Sequence, residues 1–210
     1  MTELRPDSLH SAFAERIDEH QNVIAAVREG APLRAATRAA EAIVDSLAAG
    51  GKLILFGNGG SAADAMHLAA EFLGRFLLER RALPAIALAD NHSAVTAIAN
   101  DYAYETIFSR QIEALGRDGD VALGLSTSGA SPNVAAALTA ARRAGLVTVA
   151  MTGAEPGIVG AGADIVIAIP TTATPRVQEA HLLLGHIICE AVESAILAAD
   201  SPAEPEAQAA

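Results

Sequence analysis

His67 and Glu71 stand four residues apart in GNGGSAADAMHLAAEF, so on a helix they share one face. An imidazole and a carboxylate at that spacing can jointly ligate one zinc ion or divide a proton transfer between them. The same pair also occurs as an ordinary ion pair on a solvated face. A second group, Gln178, Glu179, His181 and His186, lies in RVQEAHLLLGHIICE. His186 sits inside LLLGHII, so its ring is directed away from solvent, either as a satisfied core histidine or as a ligand or acid–base group. In a third group, Ser126, Thr127, Ser128 and Ser131 place four hydroxyls within six residues, just ahead of Pro132 and a helix-like run. Hydroxyls and free amides at a helix N-terminus, where the macrodipole is positive, can hold a phosphate without a lysine. Simple capping by Ser131 is the alternative.

The turn Gly57-Asn58-Gly59-Gly60-Ser61-Ala62 fits the G-x-G-x-x-A pattern of dinucleotide-binding folds. Such a fold needs an acidic residue for the ribose roughly 20 residues further on. The first acid after the next strand-like run, PAIALA, is Asp90, well beyond that distance, and no Gly-Lys-Ser/Thr occurs anywhere. A nicotinamide or triphosphate cofactor is therefore not expected. The glycines still imply a backbone that something small approaches closely.

These groups need elements to hold them. Apolar positions at helical spacing predict two leading helices, over 8–30 and 32–49, with Pro32 placed for a helix start. KLILF then reads as a buried strand, followed by the glycine turn and a helix over 61–76. PAIALA (84–89) is a second strand, and helical material occupies 92–115, interrupted at Asn100, Asp101 and Tyr102. DVALGLS (120–126), LVTVAMTG (146–153) and ADIVIAIP (163–170) read as three more strands, with helices over 132–144 and 175–198. Alternation of this kind predicts an α/β three-layer sandwich around a five-stranded parallel sheet, flavodoxin-like or Rossmann-like. Ligands in such folds sit beyond the carboxyl ends of the strands, which directs attention to the turns after residues 56, 89, 126 and 152. Residues 1–50 are expected to be helices used in packing and oligomerisation, 51–198 the α/β domain, and 199–210 (SPAEPEAQAA with the residues before it) a polar, disordered tail.

The chain has 210 residues, enough for one good core. It is 51% apolar but only 3% aromatic, without tryptophan, which suits close packing by small side chains and not a stacking platform for bases. A net charge of −11 argues against a general nucleic-acid binder or a binder of anionic membranes, since both surfaces repel it at long range. The single cysteine, Cys189, can form no internal disulfide, and MTELRPDSLH lacks the pattern of an export signal. The apolar runs are short and interrupted, so none reads as a membrane span. The expectation is a cytoplasmic protein with neither nucleic acid nor membrane as partner.

Together GNGGSAADAMH, TAIANDY, STSGASPN and RVQEAHLLLGHI resemble the sugar isomerase (SIS) domain family, in particular its branch acting on heptose 7-phosphates. The resemblance runs from the leading helices to about residue 198. It implies an SIS-type fold, a homotetramer with sites at subunit interfaces, and a small-molecule sugar phosphate as partner. The implied reaction converts sedoheptulose 7-phosphate to D-glycero-D-manno-heptose 7-phosphate through an enediol. Positions matching Asn58, Gly59, Gly60, Ser61, Glu71, Asn100, Asp101, Ser126, Thr127, Ser128, Ser131 and Gln178 would contact substrate. Those matching His67, Glu71, Gln178 and His186 would bind one zinc per subunit, with Glu71 and His186 as the acid–base pair. A non-catalytic relative that binds the replication initiator lacks acid–base groups at the last two positions, and both are present here; a binding-only role, or an isomerase for another phosphosugar, is the alternative. Some members carry an aspartate where this chain reads TTATP at 171–175.

The ligand set raises a geometric question. Gln178 and His186 are eight residues apart, about 12 Å along a straight helix. Either the helix is irregular near Pro175, or a neighbouring subunit supplies some of the ligands.

Overall fold

The computed structural model describes residues 6–200. Two helices lead, α1 (Pro6–Glu29) and α2 (Ala31–Ala48), with Pro32 in the first turn of α2. Strand β1 (Leu53–Gly57), helix α3 (Gly60–Leu73) and the short strand β2 (Ala85–Ala87) follow. The stretch over 92–115, expected to be helical with an interruption at Asn100, Asp101 and Tyr102, is three pieces: α4 (His92–Asp101), a 3-10 turn (Tyr104–Thr106) and α5 (Ser109–Leu115). Next come β3 (Val121–Ser126), α6 (Pro132–Arg143) and β4 (Val147–Thr152). The chain finishes with a five-residue helix α7 (Gly157–Ala161), absent from the sequence reading, then β5 (Ile165–Ala168) and α8 (Thr174–Asp200). Residues 199 and 200, expected in the tail, are the last of α8; residues 201–210 lie outside the described residues.

All five strands are parallel, in the order β2-β1-β3-β4-β5. After β1 the chain crosses to one side, and after β3 it builds in the other direction. The gap between the ends of β1 and β3 is thus the topological switch point, where the order of such sheets leaves a crevice. Every residue of β1 and β3 is buried, as expected for central strands covered on both faces. The pleat divides them between two cores. Leu53 and Leu55 face a cluster made with α2, α3 and α8, while Ile54 and Phe56 face one made with α5, α6 and α7. On α2 the buried face is mostly alanine (Ala35, Ala36, Ala39, Ala40), continued by Ile43 and Leu47, which lets the helix lie close to the sheet.

By length and composition α8 alone among the described helices could cross a membrane, contrary to the sequence reading. Its apolar face has another use: Val177, Ala180, Leu184, Ile188, Val192 and Ile196 are part of the first core.

Candidate functional site

The switch point carries the glycine turn on one side and the hydroxyl loop on the other. Gly59, the N-cap of α3, has φ = 55°, a positive value that suits glycine. Across the crevice Gly129 has φ = 66°, and a Cβ there would lie 2.1 Å from the Glu155 carbonyl oxygen. The two turns are joined by side chains. Asn58 Nδ2 donates to Asn133 Oδ1 at 2.9 Å, and Asn133 Nδ2 donates back to Asn58 Oδ1 at 2.8 Å. The Tyr104 hydroxyl also donates to Asn58 Oδ1, at 2.9 Å. Asn58 therefore has its oxygen fully engaged and keeps one N–H for another partner.

In the hydroxyl loop Ser126 and Ser131 bond one another, Oγ to Oγ at 2.8 Å, and Ser128 Oγ accepts from the Ala130 N–H. Ser131 occupies the N-cap position of α6 but makes no capping hydrogen bond. Its hydroxyl faces the loop, so capping does not account for the cluster of hydroxyls. Ser61 is buried at the foot of the glycine turn. Asn100 and Asp101, at the exposed end of α4, bond each other.

Helices α3 and α8 run side by side in the same direction. Gln178 lies against Gly60, where a Cβ would come within 2.0 Å of the glutamine Nε2. Further along, His67 Nε2 and His186 Nε2 are 2.8 Å apart, and Glu71 Oε1 is 3.6 Å from His67 Nε2. The imidazoles meet edge to face, centroids 5.1 Å apart, and Phe76 packs on His186 at 5.4 Å. Beyond this point Glu193 accepts from the N–H groups of Phe76, Leu77 and Leu78 and pairs with Arg80, whose Nε is 3.1 Å from Glu193 Oε1. Burial pushes Glu193 upward, but the three N–H groups and Arg80 outweigh it and hold the carboxyl below its usual range. Arg80 also donates to the carbonyls of Glu71 and Phe72, tying the lip of the crevice to the end of α3. One turn before His67, Asp64 is pushed upward by burial against the opposing effect of His67; its Oδ2 is buried without a hydrogen-bond partner.

The structure thus gathers His67, Glu71 and His186, and places Gln178 two turns of α8 away, beside Gly60. Helix α8 is unbroken from Thr174, and Pro175 falls in its first turn, so an irregular helix does not bring Gln178 to the histidines. Among the described residues no group of three His, Cys, Asp or Glu side chains closes around one point. Asn133 and Tyr104 were missed from the sequence. Asn133 belongs to STSGASPN, but only its contact with a residue 75 positions earlier shows its part in the crevice.

The chain thus has a parallel sheet with a glycine turn and a hydroxyl loop facing each other across its switch point, and beside them a helix pair bearing two histidines. The family model described as SIS domain matches residues 17–153. A phosphoheptose isomerase from Paramagnetospirillum magneticum is 52% identical over 184 residues, covering 86% of this chain and 93% of that one. Among solved structures, a phosphoheptose isomerase from Neisseria gonorrhoeae superposes with a TM-score of 0.83 at 39% identity, covering 89% of this chain and 99% of that one. Another, from Francisella tularensis, gives 0.82 at 33% identity, covering 92% and 100%. The chain belongs to the phosphoheptose isomerase family of SIS-domain proteins.

Proposed function

We propose that the protein interconverts sedoheptulose 7-phosphate and D-glycero-D-manno-heptose 7-phosphate, at a site between the hydroxyl loop and the His67/Glu71/His186 cluster. The observation that carries the reading is this cluster: two imidazoles in contact, with a carboxylate 3.6 Å from one of them, on a helix that starts at the switch point, across which stands a loop of hydroxyls at a helix N-terminus. The ketose must lose a proton from C1 and regain one at C2, while a proton passes between O1 and O2. Glu71 takes and returns the carbon proton, and His186 serves the oxygens. Ser126, Thr127, Ser128, Ser131 and the α6 dipole hold the phosphate, many bonds from the reacting carbons, and convert that binding into orientation.

Zinc is part of the proposal. Two imidazoles with facing Nε2 atoms and a carboxylate are zinc donors by type, so His67, Glu71 and His186 would hold the ion, with Gln178 as a fourth ligand. When bound, it supplies a Lewis acid beside the oxyanion of the enediolate. The incomplete set within one chain supports a homotetramer in which a second copy completes the site. So does the apolar surface left open: Leu9, Phe13 and Ile17 on α1, Ile187 on α8, and a groove of about 340 Å3 between α2 and α8.

The deciding experiment is turnover of sedoheptulose 7-phosphate with zinc supplied, comparing the parent with Glu71→Gln and His186→Gln. Activity in the parent and a loss of at least about a hundredfold in each variant is expected. An inactive parent would favour a binding-only role, and activity in both variants would refute the assigned roles.

A further inference from the structure

Between Gln178 and His186, α8 carries His181, which has no part in the chemistry above. Its side chain is completely buried, and its Nε2 lies 3.1 Å from the carbonyl oxygen of Thr152. A carbonyl only accepts, so Nε2 carries the proton and Nδ1 is the bare nitrogen. That Nδ1 is buried and has no hydrogen-bond partner. Burial holds the ring down at about 4, against the raising effect of the Thr152 carbonyl, so the neutral form is the one present near pH 7. An apolar side chain of similar size would fill this space without stranding a nitrogen. The bond to Thr152 is the one thing the imidazole adds.

Thr152 is the last residue of β4 and pairs in register with Ser126, the first residue of the hydroxyl loop. The next residue, Gly153, donates its N–H to the Thr127 carbonyl at 3.2 Å, and a Cβ at Gly153 would lie 2.5 Å from that same oxygen. The carbonyl held by His181 is therefore one residue from the peptide against which the loop rests. It also accepts from the Ile169 N–H at 2.9 Å, which uses both of its lone pairs and joins β4, the chain after β5 and α8 at one atom.

We propose that His181 is a positioning residue: by donating Nε2–H to the Thr152 carbonyl it sets, through Gly153 and Thr127, the placement of the loop that receives the phosphate group of the substrate. The proposal rests on the reading of that loop as the phosphate site. His181 itself touches no substrate and acts only through the backbone.

Three measurements test it. In the parent protein, the imidazole 15N shifts of His181 should show Nε2 protonated and Nδ1 bare near pH 7; a ring protonated on Nδ1 overturns the proposal, and no variant is required. His181→Phe removes the donor while retaining bulk, whereas His181→Gln retains an N–H. Amide exchange across 126–131 and at 153, measured without ligand, should quicken in His181→Phe and stay near the parent in His181→Gln; equal exchange in all three overturns the proposal. The KM for sedoheptulose 7-phosphate should rise about tenfold in His181→Phe with kcat within about threefold of the parent, and recover in His181→Gln. A fall in kcat with KM unchanged also overturns it. An inactive parent would count against the functional reading alone, because the exchange and tautomer measurements decide the role of His181 without turnover.

Discussion

Gly185 of α8 lies so close to Leu68 of α3 that a Cβ there would come within 2.7 Å of both leucine methyl groups. One residue further along α8 and one residue earlier on α3, His186 and His67 face each other at 2.8 Å. The missing side chain at 185 sets the interhelical distance that this contact requires.

Gly185→Ala should force the helices apart or displace Leu68 from the core. Overpacking of this kind costs about 1–3 kcal/mol. Urea unfolding should show that loss, and isomerase activity should fall by more than tenfold through separation of His67 and His186. Stability and activity both equal to the parent would show that the helix contact yields freely.

Gly60→Ala is a different case. The added Cβ would meet the far end of the flexible Gln178 side chain, 2.0 Å from Nε2, and not backbone. Gln178 should therefore move aside with stability changed by less than about 1 kcal/mol. Activity should drop as though Gln178 had been altered directly. Comparing kcat/KM for Gly60→Ala, Gln178→Ala and the double variant checks this, and additive losses would exclude a shared mechanism.

His181 also predicts a pH dependence of stability. Its folded value of about 4 lies below the ordinary 6.5, so the unfolded chain takes up a proton first as pH falls. The stability associated with the neutral ring is complete above about pH 6.5 and drains away from there down to about pH 4. Between pH 6.5 and 5 the loss should reach about 1.5 kcal/mol. His181→Gln should flatten this part of the curve when unfolding free energies are measured across it. Glu193 loses its contribution lower, as pH falls from its ordinary range through its depressed folded value.

Glu193→Gln should cost about 3–5 kcal/mol, because it leaves the Arg80 guanidinium buried without its counter-charge. Loosening of residues 76–78 should accompany it, since their N–H groups converge on this carboxylate. Thermal unfolding and protease sensitivity in that segment are the measurements; an unchanged midpoint would mean that the ion pair is dispensable.

The strand-and-helix order was legible because each central strand is a short apolar run bounded by glycine or polar residues, and each covering helix repeats its apolar positions every three or four residues. The stretch over 92–115 was read as helical with an interruption at Asn100, Asp101 and Tyr102, and α4 does end there, with Tyr102 at φ −127° and ψ −88°; the three-residue 3-10 turn that follows is too short for periodicity to register. Five-residue α7, rich in glycine, is too short for periodicity to register. At the site, His67 and Glu71 could be paired from their spacing, whereas the contact of His67 with His186 spans 119 residues and depends on how two helices lie. Gln178 shows the same limit. Spacing along α8 separated it from His186, but only the packing shows Gly60 as its neighbour.

The contacts between α3 and α8, together with the turn after α3, keep one register: Gly60 with Gln178, Leu68 with Gly185, His67 with His186 and Phe76 with Glu193, all 117 to 119 residues apart. A deletion or insertion of one residue in α8 between Gln178 and Glu193 would shift everything beyond it by about 1.5 Å and turn it by about 100°. Whichever end of the helix stayed in place, the other would lose its partners. Substitutions can alter this helix pair one contact at a time, but a change in helix length would uncouple its Gly60–Gln178 end from its His67–His186 end at once.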